Sequence, residues 1–252
     1  MEPIRKPLQG VLNIIRFNWH FYILSLLLLL GLLGAAAVTG GIPAMLLYTA
    51  GALLALVTGV SLMVSCYVYD LSGLYQFDWI PVTGQETSIV NIHAGFDETS
   101  WLLKHRFAHA GLVVFDFYDP EKHTEVSIKR ARRAYPPFPG TQQVLTTQLP
   151  LAGNSADKIF LIFAAHEIRD TAERTAFFTA LRRLLKPDGE IIVVEHLRDS
   201  ANFMAYNIGF FHFYSKAAWL RTFSQAQLHL KQEQKLTPFI STFTLTLHGD
   251  SF

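Results

Sequence analysis

The sequence predicts an α/β protein: a doubly wound, mostly parallel sheet preceded by two transmembrane helices. Three observations point there. No Asp, Glu, Lys or Arg occurs between Arg16 and Asp70. From about residue 85 onward, short apolar runs rich in β-branched residues alternate with longer polar stretches of helical character. The chain then closes on two strand-like runs with no helix between them. These patterns divide it into a membrane anchor over 1–84 and a second domain over 85–252.

A helix needs roughly 20 mostly apolar residues to cross the hydrocarbon core. Residues 21–38 supply one span and residues 44–67 a second. Between them Thr39-Gly40-Gly41-Ile42-Pro43 gathers turn formers, so the two spans form an antiparallel hairpin. Arg5, Lys6 and Arg16 precede the first span, and the positive-inside rule then places both ends in the cytoplasm. The expectation is an integral protein of a bacterial inner membrane, with the lipid bilayer as a partner. Trp19, Tyr22, Tyr67, Tyr69 and Trp79 fall where an interfacial aromatic belt would lie. A secretory signal peptide is the weaker reading, because no small-residue cleavage site follows the first span.

Composition narrows the field further. A net charge of +1 leaves no electrostatic footprint for nucleic acid. The single cysteine, Cys66, rules out an internal disulfide framework and reads as a small apolar residue.

In the second domain the expected strands cover 88–93, 112–117, 143–147, 158–164 and 190–195. The expected helices cover 98–109, 121–134, 171–185 and 217–226. Runs such as Ile191-Ile192-Val193-Val194 suit strands buried on both faces, and their alternation with helices argues for a parallel sheet. The final pair, 228–235 and 239–248 around Thr237-Pro238, suggests a hairpin. In such sheets ligands bind beyond the carboxyl ends of the strands, near the point where strand order reverses.

The residues just after each strand therefore matter most. The first strand leads into Asn91-Ile92-His93-Ala94-Gly95-Phe96-Asp97, a turn in which Gly95 allows a close approach to the backbone. Asp116, about 20 residues on, has the spacing of a carboxylate that holds a ribose diol. Further along come Leu149-Pro150 before Asp157, then Ala164-Ala165-His166-Glu167, and finally Leu184-Leu185-Lys186-Pro187-Asp188-Gly189-Glu190 before Glu195-His196.

Across about 88–197, these segments resemble the class I S-adenosylmethionine-dependent methyltransferases, in particular the ubiquinone/menaquinone-type branch. The family's first turn reads D/E-x-G-x-G-x-G, and the matching positions here are Asn91, His93, Gly95 and Asp97. The resemblance implies S-adenosylmethionine as cofactor. Its seat would be Asn91, His93, Gly95, Asp116 with Phe117, Thr146 or Thr147 on the adenine side, and Ala164 at the end of the fourth strand. It also implies methyl transfer near His166 and Glu167, with His196 as a second histidine. A base there would remove the acceptor's proton, and an unperturbed imidazole titrates in the useful range. The aromatic segment 202–215 follows the fifth strand and suggests a mouth for a hydrophobic small molecule or lipid, with Tyr206, His212 and Tyr214 as polar contacts.

Two other readings stay open at this point. His93, His166 and His196 with Asp97 and Glu167 could hold a metal and alter the chemistry. No close His-x-x-His spacing supports that, so no metal ligands are assigned. The loss of two family glycines also suits a membrane-tethered binding protein without catalysis.

Overall fold

The computed structural model describes residues 5–248. A short helix, α1 (Gln9–Phe17), precedes two long apolar helices, α2 (Trp19–Val38) and α3 (Gly41–Cys66). The helix α3 starts earlier than the expected span because Pro43 sits in its first turn, where a missing N–H costs no helical bond. Packed on each other as a hairpin, α2 and α3 bury only Ala36 of the first and Ala44, Gly51 and Ser65 of the second. Leu24 and Leu46 are each more than 60% exposed. Both helices are long and apolar enough to cross a membrane.

The helix α1 was not foreseen. Its N-terminus has no local cap; instead the Asp70 carboxylate accepts from the N–H groups of Gly10 at 2.7 Å and Val11 at 2.9 Å. A side chain at Gly10 would meet the Cβ of Tyr69 at 2.4 Å, so glycine is what lets the two segments touch. On its other flank α1 is held by one carboxylate oxygen of Glu98, which accepts from Arg5, Gln9 and Asn13 at 3.1 Å each.

Beyond α3 the chain makes a π-helical turn (Tyr67–Leu71) and a 3-10 turn (Leu74–Gln76) directly into the sheet domain. Val68, Leu74, Phe77 and Ile80 are buried in the core with Ile89, Phe107 and Phe160. Residues 68–80, expected to belong to the anchor, are therefore part of the packed domain.

The sheet then builds up in sequence: β1 (Ser88–His93), α4 (Ser100–Arg106), β2 (Gly111–Asp116), α5 (Val126–Ala134), β3 (Gln142–Gln143), β4 (Ala156–Ile162), α6 (Thr171–Leu184), β5 (Leu185–His196), α7 (Ser200–Tyr206), α8 (Lys216–Gln225), β6 (His229–Thr237) and β7 (Ile240–Thr246). Seven strands lie in the order β3-β2-β1-β4-β5-β7-β6. The first five are parallel, and β7 runs antiparallel to β5 and β6. The expected parallel sheet and closing hairpin are both present, joined as one mixed sheet.

Apolar layers cover both faces, with Phe177, Phe178, Trp219 and Phe223 of α6 and α8 on one side and Leu103 of α4 with the 68–80 segment on the other. The expected strand 143–147 shrinks to two residues, and Leu145 and Gln148 close a turn instead. The helix expected from residue 121 starts only at Val126, because residues 119–123 are turned back by the Asp119 carbonyl and carboxylate.

Substituting Asp70→Ala leaves two first-turn N–H groups of α1 without their acceptor, a loss of about 1–3 kcal/mol. The expected result is faster trypsin cleavage at Arg16 in the detergent-solubilised protein. Cleavage at the wild-type rate would show that α1 does not depend on this cap.

Candidate active site

Strand order reverses between β1 and β4, and some of the polar residues foreseen at the strand ends lie along that seam. At the end of β1, Asn91 is buried and its side-chain amide donates to Thr99 Oγ1 at 2.9 Å and Ser100 Oγ at 2.8 Å. Asp97 completes the turn by accepting from the N–H groups of Thr99 and Ser100. Gly95 adopts φ +95°, and a Cβ there would lie 2.8 Å from the ring of Tyr118, so this position admits only glycine. Its N–H donates to His93 Nδ1 at 3.2 Å, which puts the His93 proton on Nε2. That atom and Asn91 Oδ1 are buried without a hydrogen-bond partner.

Asp116 is buried at the end of β2, where one oxygen accepts from the Tyr118 N–H at 2.9 Å. The other is held by Arg132 of α5 at 2.5 Å. The guanidinium also reaches the Gly95 carbonyl at 3.3 Å and lies over the Tyr118 ring. The place expected for a ribose diol is thus filled by an arginine that the sequence analysis missed. The only signal was the basic run Lys129-Arg130-Ala131-Arg132-Arg133.

A cavity of about 250 Å³ opens just after Asp116, lined by Phe117, Tyr118, His123, Val144, Thr146 and Glu173. Thr146 donates to Glu173 at 2.7 Å, whereas Thr147 is exposed and lies outside this cavity. A larger cavity, of about 380 Å³, is bounded by Asn13, Ile14 and Phe17 of α1, by Ala94, Phe96 and Thr99 after β1, by α5, and by Phe163, His166, Glu167 and His212. Ala164, expected near the cofactor, is buried in the core beneath.

Phe163 holds φ +52°, a left-handed conformation that costs a non-glycine residue on the order of 1–3 kcal/mol and that clusters at functional sites. The kink swings the following 3-10 turn (Ala165–Glu167) across the end of β5. There His166 Nδ1 meets Glu195 Oε2 at 2.7 Å, and its Nε2 meets Glu167 Oε1 at 3.2 Å. Burial works against a charge on His166, but the two carboxylates outweigh it and push its pKa up to about 10. His166 and His212 together hold Glu167 well below the usual carboxylate range, against its own burial. A ring kept as a cation has no lone pair for a proton, so His166 in this arrangement is an ion-pair partner rather than the expected base.

His196 is corrected more strongly. It is stacked between Phe163 and Phe213, Nδ1 faces Asn202 Oδ1 and the Phe239 carbonyl, and Tyr69 donates to Nε2 at 2.7 Å. Both nitrogens are used and neither reaches a cavity. Of the residues expected at the mouth, His212 lines the larger cavity, but Tyr206 packs on His196 and Tyr214 donates to the Arg169 carbonyl beside Trp219.

Residues 114–193 match the family described as a methyltransferase domain. Among curated proteins no sequence matches the chain. Among solved structures, an O-methyltransferase family 2 protein from Planctomyces limnophilus, in complex with apigenin, is 11% identical, with a TM-score of 0.50 over 76% of this chain and 61% of its own. A SAM-dependent methyltransferase from Aquifex aeolicus gives 0.49 at 13% identity, over 75% of this chain and 97% of its own. One from Leishmania major gives 0.49 at 15% identity, over 74% and 77%. These structural likenesses concern the fold, and the family match is to a methyltransferase domain over part of the chain. The residues fit the S-adenosylmethionine that the sequence resemblance implies. A buried carboxylate ends β2, the Phe117 and Tyr118 that follow it line the smaller cavity, and two orphaned polar atoms end β1. The Arg132 side chain, which is 34% exposed, and the Tyr118 ring occupy the space beside Gly95.

For His196, burial lowers the pKa, repulsion from His166 adds to it, and the hydrogen bonds to Asn202 and Phe239 oppose it, leaving a value of about 4. The folded protein keeps this ring neutral, while an unfolded chain takes up a proton below about 6.5. Its contribution, on the order of 3 kcal/mol, is present above pH 6.5 and lost as pH falls toward 4. Thermal midpoints should fall more between pH 7 and pH 5 in the wild type than in His196→Gln. Parallel pH profiles would contradict this.

Proposed function

We propose that the protein transfers a methyl group from S-adenosylmethionine to a hydrophobic, membrane-associated small molecule or lipid. The observation that carries this reading is the 380 Å³ cavity, bounded on one side by α1 and on the other by the residues that follow β1 and β4. Because α1 runs directly into the apolar α2, an acceptor held there would lie next to the bilayer surface. In this reading α2 and α3 span a bacterial inner membrane with the sheet domain on its cytoplasmic face. The ubiquinone/menaquinone-type branch, whose acceptors are quinone precursors, suits such an anchor.

When bound, S-adenosylmethionine supplies a sulfonium methyl group open to in-line displacement. Asp116 would hold the ribose hydroxyls once Arg132 withdraws, and Phe117, Val144 and Thr146 would hold the adenine. Asn91 Oδ1 and His93 Nε2 have unused hydrogen-bonding capacity for the polar end of the cofactor. Ile14, Phe17, Phe96 and Phe163 offer apolar surface to the acceptor and exclude water. Glu167 offers a carboxylate to the acceptor's polar group, with His166 fixing its position.

A second observation supports the membrane side. The segment formed by α7 and the 3-10 turn Asn207–His212 leaves Phe203, Met204, Ile208 and Phe211 exposed, and α7 packs against α3. Exposed apolar groups continuous with the hairpin suit an interfacial contact.

Titration calorimetry on the full chain in lipid nanodiscs tests the cofactor. Binding of S-adenosylmethionine is expected, weakened tenfold or more by Asp116→Asn and tightened by Arg132→Ala, which removes the competing cation. No binding by either the wild type or Arg132→Ala would sink the enzymatic reading in favour of a non-catalytic binder. Transfer of radiolabelled methyl into a lipid extract, lost in Glu167→Gln, would support the acceptor side; label confined to water-soluble products would overturn it.

A further inference from the structure

Three carboxylates converge on two imidazoles at the inner edge of the larger cavity. We propose that this cluster is a divalent transition-metal site, with zinc as the ion it suits best and His166, Glu167 and His212 as its ligands.

The ion would take the place of the proton that His166 Nε2 shares with Glu167 and release it to water, so the geometry is that of ligands gathered for a common ion. Glu167 Oε1 lies 3.2 Å from His166 Nε2 and 3.6 Å from His212 Nε2. All three residues offer atoms within 4.8 Å of one another. Donor atoms around a tetrahedral zinc, at bond lengths of about 2.0–2.2 Å, stand roughly 3.3 Å apart. Two imidazoles and one carboxylate are a donor set that suits zinc and leaves a coordination position open.

The surroundings supply an independent argument. Metal-bound histidines almost always hand their other ring nitrogen to a carboxylate, carbonyl or water, which fixes the ring and presents the free nitrogen to the ion. Both histidines here do so. His166 Nδ1 meets Glu195 Oε2 at 2.7 Å, with Glu195 buried at the end of β5. His212 Nδ1 meets Glu125 Oε1 at 3.2 Å. In each ring Nε2 is therefore the atom turned to Glu167. All three ligand residues line the cavity, so the open position faces the space where an acceptor would sit.

The cluster already carries cations. Arg169, an exposed side chain, places its guanidinium 2.5 and 2.6 Å from the two nitrogens of His212. A metal ion would displace that group. An exposed arginine withdraws into water at little cost. The sequence could not show this site because His212 lies 45 residues beyond Glu167 and arrives only through the turn that follows α7. A role for the ion in polarising an acceptor's oxygen rests on the proposed methyl transfer; the binding itself does not.

The experiment uses the full chain in detergent micelles, stripped with a chelator and then titrated with Zn²⁺ or Co²⁺ alone. One equivalent of zinc is expected by elemental analysis, and cobalt should give the visible d–d absorption of a four- or five-coordinate site. Glu167→Gln and His212→Gln should each weaken zinc binding at least tenfold. Arg169→Ala should tighten it several-fold, and His229→Gln on the exposed edge strand should leave it unchanged. Occupancy below a tenth of an equivalent, or binding indifferent to both ligand substitutions, would overturn the assignment and leave an ion-pair network. No S-adenosylmethionine or acceptor is present in these assays. Methyl transfer by the metal-free protein would refute only the catalytic use of the ion, and zinc binding without cofactor binding would refute only the proposed function.

Discussion

Between β1 and β4 the strand order turns back on itself, so the helices that follow these strands, α4 and α6, pass to opposite faces of the sheet. No crossover connection covers the carboxyl ends at that seam, and the backbone and side chains there must find other partners. Here the cover is α1, a helix drawn from the anchor side of the chain. It stays in place because Asp70 caps it and Glu98 accepts from two of its side chains, Gln9 and Asn13, and from Arg5 just before it. The cavity exists because a helix stands off from the sheet ends on polar struts rather than packing down on them.

Three acidic groups placed in this half-buried seam have cations beside them, whereas Asp97 is met by backbone N–H groups. Asp116 has Arg132, Glu195 has His166, and Glu167 has both His166 and His212. Burying a charge without a partner costs several kcal/mol, so these pairings constrain the site as firmly as apolar packing constrains the core. The partners differ in kind. Arg132 and Arg169 are long side chains that reach in from the surface and can leave, whereas Glu195 and the Nδ1 face of His166 are fixed by a strand and a strained turn. The fixed groups define where a ligand goes, and the movable ones mark what it must displace.

Much of the fold was legible in the residues. Charge-free runs, β-branched strand cores and the closing Thr237-Pro238 turn follow from local rules of burial and hydrogen bonding. The boundary at residue 85 failed because Val68, Phe77 and Ile80 look like the tail of an apolar span, although they pack under the sheet. The helix α1 was missed because its cap comes from Asp70 rather than from its own sequence. His196 was read as a candidate base because a histidine after a strand carries no mark of its stacking partners. Phe163, Phe213 and Tyr69 come from three distant segments.

By itself the sequence determined the two long apolar helices, the mostly parallel sheet and which strand ends carry acids and histidines, because periodicity and spacing are local properties of the chain. The tertiary structure alone decided which of those groups meet. Arg132 reaches Asp116 across α5, and His212 reaches Glu167 across 45 residues, because charge pairing acts over a few ångströms in space with no regard for separation along the chain.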